Sequence, residues 1–111
     1  MPTNEEMYDE AVKLQQEGNP EEAVGKLQEL LRQDPKYALA HAALSVFYCK
    51  LEKHDEAVEH ARKVCELEPE DPFSFVAMSL VCQKAGRLRE AEESLIEARR
   101  AQVTAQRDRP E

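Results

Sequence analysis

The stretch EEAV at Glu21–Val24 returns as DEAV at Asp55–Val58 and, less faithfully, as REAE at Arg89–Glu92. Its alanine therefore stands at residues 23, 57 and 91, each 34 residues after the last. A fixed period of that length marks one two-helix unit stacked several times, since a lone unit cannot bury its apolar face. Set in lines of 34 beginning at Asn4, Ala38 and Pro72, the chain agrees in further columns. A small residue recurs at Ala11, Ser45 and Ser79, where two helices must approach closely, and a larger one three places on at Leu14, Tyr48 and Cys82. Beyond the alanine come Leu27, Ala61 and Leu95, then Leu30, Val64 and Ala98, all at helical spacing. Pro35 and Pro69 also stand one period apart.

Local signals punctuate the same pattern. Thr3 followed by Glu6 reads as a capping box in front of Met7, Ala11 and Leu14. Gly18 supplies a left-handed stop, Asn19 the next cap, Pro20 the first helical position, and Glu21 and Glu22 the negative charge a helix start favours. Asp34-Pro35 ends that helix, Glu70-Asp71-Pro72 separates the second unit from the third, and Gly86 turns the chain inside the third. Six helices are expected, over 4–17, 20–33, 37–51, 54–68, 72–85 and 88–106. They form one domain over 1–111, with units at 4–37, 38–71 and 72–105 and a disordered tail at 106–111.

Aromatic residues make up 5% and tryptophan is absent, so the core must be built from Leu, Val, Ala, Met and Cys, which favours close-packed helices. A chain 41% hydrophobic is too apolar to be disordered, yet no apolar run approaches the roughly 20 residues of a membrane span. With the acidic start MPTNEEMYDE, this reads as a soluble, cytoplasmic protein. Net charge is −8, concentrated in the first two units: residues 4–37 carry nine acidic and four basic side chains, 38–71 eight and four, 72–105 four and five. Such a surface repels phosphate backbones, so nucleic acid is not an expected partner, and neither is a membrane. The three cysteines, Cys49, Cys65 and Cys82, suit reduced buried thiols better than a disulfide framework. His41, His54 and His60 lack metal-ligand spacing and read as surface or packing residues, so no metal or cofactor is expected. Glu56 and His60, one helical turn apart, resemble an acid/base pair, but no phosphate loop or nucleophile motif accompanies them and the chain is not expected to be an enzyme.

The columns resemble those of the tetratricopeptide repeat family over residues 4 to 105. The family pattern is met in the second unit by His41, Leu44, Ser45, Tyr48, Ala57 and Pro69, and in the third by Phe75, Met78, Ser79, Cys82, Ala91 and Leu95. The first unit is the least faithful, with Glu10 where leucine is usual. Glu52 stands where a turn glycine is usual. The resemblance implies an all-α, right-handed α-α superhelix of three antiparallel helix pairs, the first helix of each pair lining the concave side.

Removing the packing columns from those first helices leaves the residues aimed into the hollow: Tyr8, Asp9, Val12 and Gln16; Leu39, Ala42, Ala43, Val46 and Cys49; Phe73, Val76, Ala77 and Leu80, of which all but Asp9 and Gln16 are expected to form a peptide-binding groove. The groove is thus expected to be apolar and to receive an apolar or amphipathic peptide or helix. Relatives that grip the acidic tail of heat-shock chaperones use two lysines, two asparagines and an arginine. The matching places here hold Tyr8, Val12, Ala43, Phe73 and Ala77, which argues against a carboxylate clamp. Self-association through the groove or the end helices is the alternative.

Overall fold

The computed structural model describes residues 2–108. These form six helices and no strand: α1 (Asn4–Gln16), α2 (Pro20–Gln33), α3 (Ala38–Lys50), α4 (His54–Leu67), α5 (Pro72–Lys84) and α6 (Leu88–Arg107). They agree with the expected boundaries to within a residue. Residue 107, expected in the tail, instead ends α6, and residues 109–111 of the expected tail lie outside the described residues.

Each pair packs as an antiparallel hairpin, and consecutive hairpins join through α2 with α3 and α4 with α5. The first helices also meet directly, α1 with α3 and α3 with α5, whereas the first and third hairpins share no contact among the described residues. The result is an all-α helical-repeat superhelix, 42 × 36 × 22 Å, in which each unit rests on its neighbours.

The repeated columns carry the core. Ala11, Ser45 and Ser79 on the first helices and Ala23, Ala57 and Ala91 on the second are all buried. Side chains this small let the two backbones of a hairpin approach closely. In the middle unit the contact includes a hydrogen bond, Ser45 Oγ donating to the Ala57 carbonyl at 3.0 Å. Leu27 and Ala61 are buried as their column requires, but Leu95 in the same column is 47% exposed. The reason is positional: a following unit would cover this side of α6, and none of the described residues does.

The turns inside the hairpins share one hydrogen-bond scheme. The N–H groups of Asn19, Lys53 and Arg87 reach back to the carbonyls of Leu14, Tyr48 and Cys82, while those of Gly18, Glu52 and Gly86 reach Gln15, Cys49 and Gln83. This double closure, a Schellman motif, needs a left-handed residue just past the helix. Gly18 and Gly86 supply it at φ 85° and 78°; in the middle unit Glu52 is held at φ 60°. The turn is therefore not lengthened by Glu52, but it carries a side chain where glycine costs least.

Thr3 forms the expected capping box with Glu6, accepting from its N–H at 3.1 Å and donating its own N–H to Glu6 Oε1 at 3.2 Å. Asn19 departs from expectation: it occupies the cap position, but its side chain makes no capping bond. Its ψ of 64° lies away from the extended conformation in which a cap side chain folds over the first turn. Asp71 does cap α5, accepting from the Phe73 N–H at 3.0 Å.

Candidate functional site

The exposed face of α3 repeats in register on α5. Leu39, Ala42, Val46 and Lys50 on α3 correspond, one period on, to Phe73, Val76, Leu80 and Lys84 on α5. Both series follow i, i+3, i+7, i+11, which places each on a single stripe of its helix. The stripes are apolar until their last member, and the large side chains stand out: Leu39 is 56% exposed, Val46 50%, Phe73 77% and Leu80 54%, with Val76 exposed as well.

Between α3 and α5 the surface sinks into a concavity of about 330 Å³. Of the residues expected in the groove, Ala42, Val46, Cys49, Ala77 and Leu80 line it, and Ala61 and Val64 of α4 contribute to its lining. Leu39, Phe73 and Val76 stand on the exposed stripes outside the concavity, while Tyr8 and Val12 are half-buried on α1. Ala43 is a correction: at 9% exposure it belongs to the buried core and offers no surface to a partner. As the middle first helix, α3 is packed by α1, α4 and α5 together with α2, so only a narrow strip of it stays open. Ala77, one period on, lies on the side of α5 that faces α3, where the concavity leaves it exposed.

Lys50 and Lys84 were not among the expected groove residues, yet both line the concavity, and no acidic residue does. The available signal was their 34-residue spacing at the last position of two first helices.

Away from the groove, His41 and His60 meet across α3 and α4, with their Nδ1 atoms 3.0 Å apart. His60 also stacks on Tyr48, ring centroids 5.6 Å apart. Tyr48 in turn accepts a hydrogen bond from Gln28 Nε2 at 2.7 Å, which ties the first unit to the second. Burial, reinforced by the facing His41, pushes the His60 pKa below its ordinary value, with partial opposition from Glu59. The partner of His60 is thus a second imidazole and not Glu56. The cysteine thiols carry no disulfide; burial raises the pKa of Cys65 and Cys82, and Cys65 donates to the Ser74 carbonyl at 3.3 Å. Thiols held protonated in this way are poor nucleophiles.

Residues 14–73 match the family described as tetratricopeptide repeat. The chain belongs to the tetratricopeptide repeat family. This is a family of protein-interaction modules. No curated protein matches the sequence. Among solved structures, the crystal structure of MamA superposes with a TM-score of 0.85 at 20% identity, covering 95% of this chain and 61% of that one. The chain thus spans about three fifths of the MamA chain. The type III secretion translocator chaperone SycD of Yersinia enterocolitica, in an alternative dimer, gives 0.80 at 21% identity, covering 97% of this chain and 79% of that one. The second tetratricopeptide domain of Spaghetti (RPAP3), bound to the HSP90 peptide SRMEEVD, gives 0.76 at 21% identity, with 86% and 88% covered. At these identities the likeness is one of fold. No helix among the described residues is long and apolar enough to cross a membrane.

Proposed function

We propose that this tetratricopeptide repeat protein is a non-catalytic interaction module that holds an apolar or amphipathic segment of another protein in its concave groove. The observation that carries this reading is the row of large exposed side chains, Leu39, Val46, Phe73, Val76 and Leu80, bordering a concavity between two helices. Apolar surface left in one contiguous patch is where association releases most water. Each such side chain, if fully covered, contributes roughly 1.5–3 kcal/mol. Ordering a flexible peptide offsets much of that, which leaves an affinity of about micromolar strength, near −8 kcal/mol. The RPAP3 domain holds a chaperone tail peptide, but that ligand class fits poorly here: Tyr8, Val12, Ala43, Phe73 and Ala77 offer no side-chain donor to clamp carboxylates, beyond the hydroxyl of Tyr8.

The test is a peptide library selected on the wild-type protein and then measured against Val46→Glu/Leu80→Glu. Both positions are exposed, so helicity by circular dichroism should be unchanged while the selected peptides lose at least about tenfold in affinity. Unchanged binding refutes the reading.

A second reading is self-association through the end of the stack, favoured by Leu88, Leu95, Ile96 and Val103, which leave an apolar strip exposed on α6. Sedimentation at several concentrations decides it, and a monomer at high concentration excludes it.

A further inference from the structure

Resting on the groove reading, we infer that the preferred occupant is an amphipathic helix of a partner protein whose apolar stripe is flanked on one side by acidic residues two turns apart, and that Lys50 and Lys84 grip those acids. In a chain of net charge −8, these two lysines are the only charged residues lining the concavity among the described residues. Among the described residues neither takes part in an ion pair, which is equally true of Lys13, Arg32, Lys36, Lys53, Arg89 and Arg99, so their place in the lining is what sets them apart. Each also stands in the last turn of its helix, where a positive charge suits the helix end, and no side-chain carboxylate occupies its ammonium group.

Their placement sets the geometry of what they can hold. Each ends its helix, four residues past the exposed Val46 or Leu80, so on both helices the charge lies one turn from the apolar anchor, on the side of the intra-hairpin turns. The two lysines stand on opposite sides of the concavity, one on α3 and one on α5, so their spacing is of the order of one helix diameter, about 10–12 Å. A partner helix running along the stack rises about 10.5 Å over seven residues, so carboxylates at i and i+7 fall opposite Lys50 and Lys84 while its apolar stripe covers Val46 and Leu80. An ammonium on a flexible stem meets a side-chain carboxylate as a point charge and needs no fixed fork. Both lysines are exposed, so salt screens such a pair as it does other surface charges.

The experiment uses three synthetic amphipathic helical peptides, about 15 residues long, with leucines along one face and Glu, Gln or Lys at two flanking positions seven apart. Affinities are read by fluorescence anisotropy for the wild type, Lys50→Glu/Lys84→Glu and Val46→Glu/Leu80→Glu. The expected result is that the wild type prefers the Glu peptide over the Gln peptide by about tenfold at low salt, with the margin shrinking as salt rises. The Lys50→Glu/Lys84→Glu protein should reverse that order and favour the Lys peptide. Both lysines are exposed, so this variant is expected to fold, and its far-UV spectrum checks that. Equal binding of all three peptides that Val46→Glu/Leu80→Glu abolishes overturns the lysine assignment and leaves the groove reading standing. Binding of none of them by the wild type overturns the assignment too. Tight binding that Val46→Glu/Leu80→Glu leaves intact overturns both. Concentration-dependent dimers that this groove variant dissolves would make a second copy the occupant, which also overturns the inference.

Discussion

His41 and His60 face each other across the α3–α4 packing with Nδ1 atoms 3.0 Å apart, while the other ring nitrogen of His41 lies 2.8 Å from the Pro35 carbonyl. A carbonyl only accepts, so Nε2 of His41 carries a proton; in the neutral ring its Nδ1 is then an acceptor and His60 Nδ1 the donor. A single added proton can be accommodated by exchanging these roles. Two cannot, because two N–H groups would then point at one another.

This arrangement gives the protein an acid-sensitive joint. The His60 pKa is lowered in the fold, first by burial and then by His41, so the unfolded chain binds the proton more readily. The contribution of His60 is full above the ordinary histidine value of about 6.5 and is lost as pH falls through its lower folded value. Urea unfolding of wild type and His60→Gln at about pH 7.5 and about pH 5 checks this. The stability difference between the two proteins should shrink or change sign toward the lower pH. A difference that stays constant would show that the pair does not titrate as described.

Glu52, the one non-glycine residue with positive φ among those described, should be improved by the residue its column calls for. Glu52→Gly is expected to stabilise by about 1 kcal/mol, worth about 4 °C in Tm. The mirror change, Gly18→Glu, should lose a similar amount. A Cβ at Gly18 would meet nothing within 4 Å, so backbone strain alone is measured there. Thermal melts of the two variants should move in opposite directions.

Ser45 and Ser79 occupy one column and are both buried, yet only Ser45 has a hydrogen-bond partner; Ser79 Oγ has none. Removing the Ser45 hydroxyl costs its hydrogen bond to the Ala57 carbonyl, whereas removing an unsatisfied hydroxyl relieves a desolvation cost. Ser45→Ala is therefore expected to destabilise by about 1 kcal/mol and Ser79→Ala to be neutral or stabilising by up to about 1 kcal/mol. Chemical denaturation midpoints separate the two outcomes.

Leu95 and Ile96 are exposed on the uncovered flank of α6. Replacing both with lysine should leave Tm within about 2 °C, as surface changes do. If the end of the stack pairs with another copy, the same variant should be monomeric where the wild type is not, by sedimentation.

Most of the fold was legible because a solenoid writes its packing as a repeat. Each of the columns Ala23–Ala57–Ala91 and Ala11–Ser45–Ser79 reports one contact three times, and the glycines at 18 and 86 predicted the left-handed turn that Glu52 also adopts. The column of Leu27, Ala61 and Leu95 misled for the same reason: periodicity states what a position would pack against, not whether the neighbour is there. Ala43 shows the opposite error, a groove position swallowed by the extra neighbours of the middle helix. The His41–His60 contact left no trace, because its members sit on different helices at unrelated positions in the repeat. Lys50 and Lys84 share a 34-residue column with Gln16, which was expected in the hollow, so the repeat itself carried the signal for them.

The lack of any contact between the first and third hairpins has a mechanical corollary. Strain or motion at either end reaches the other only by way of α3 and α4, as load crosses a bridge with a single pier. A guest clasped at Val46 and Leu80 would brace that pier against its neighbour. Amide exchange should then slow in α1 and α2 as well, although the guest lies between α3 and α5.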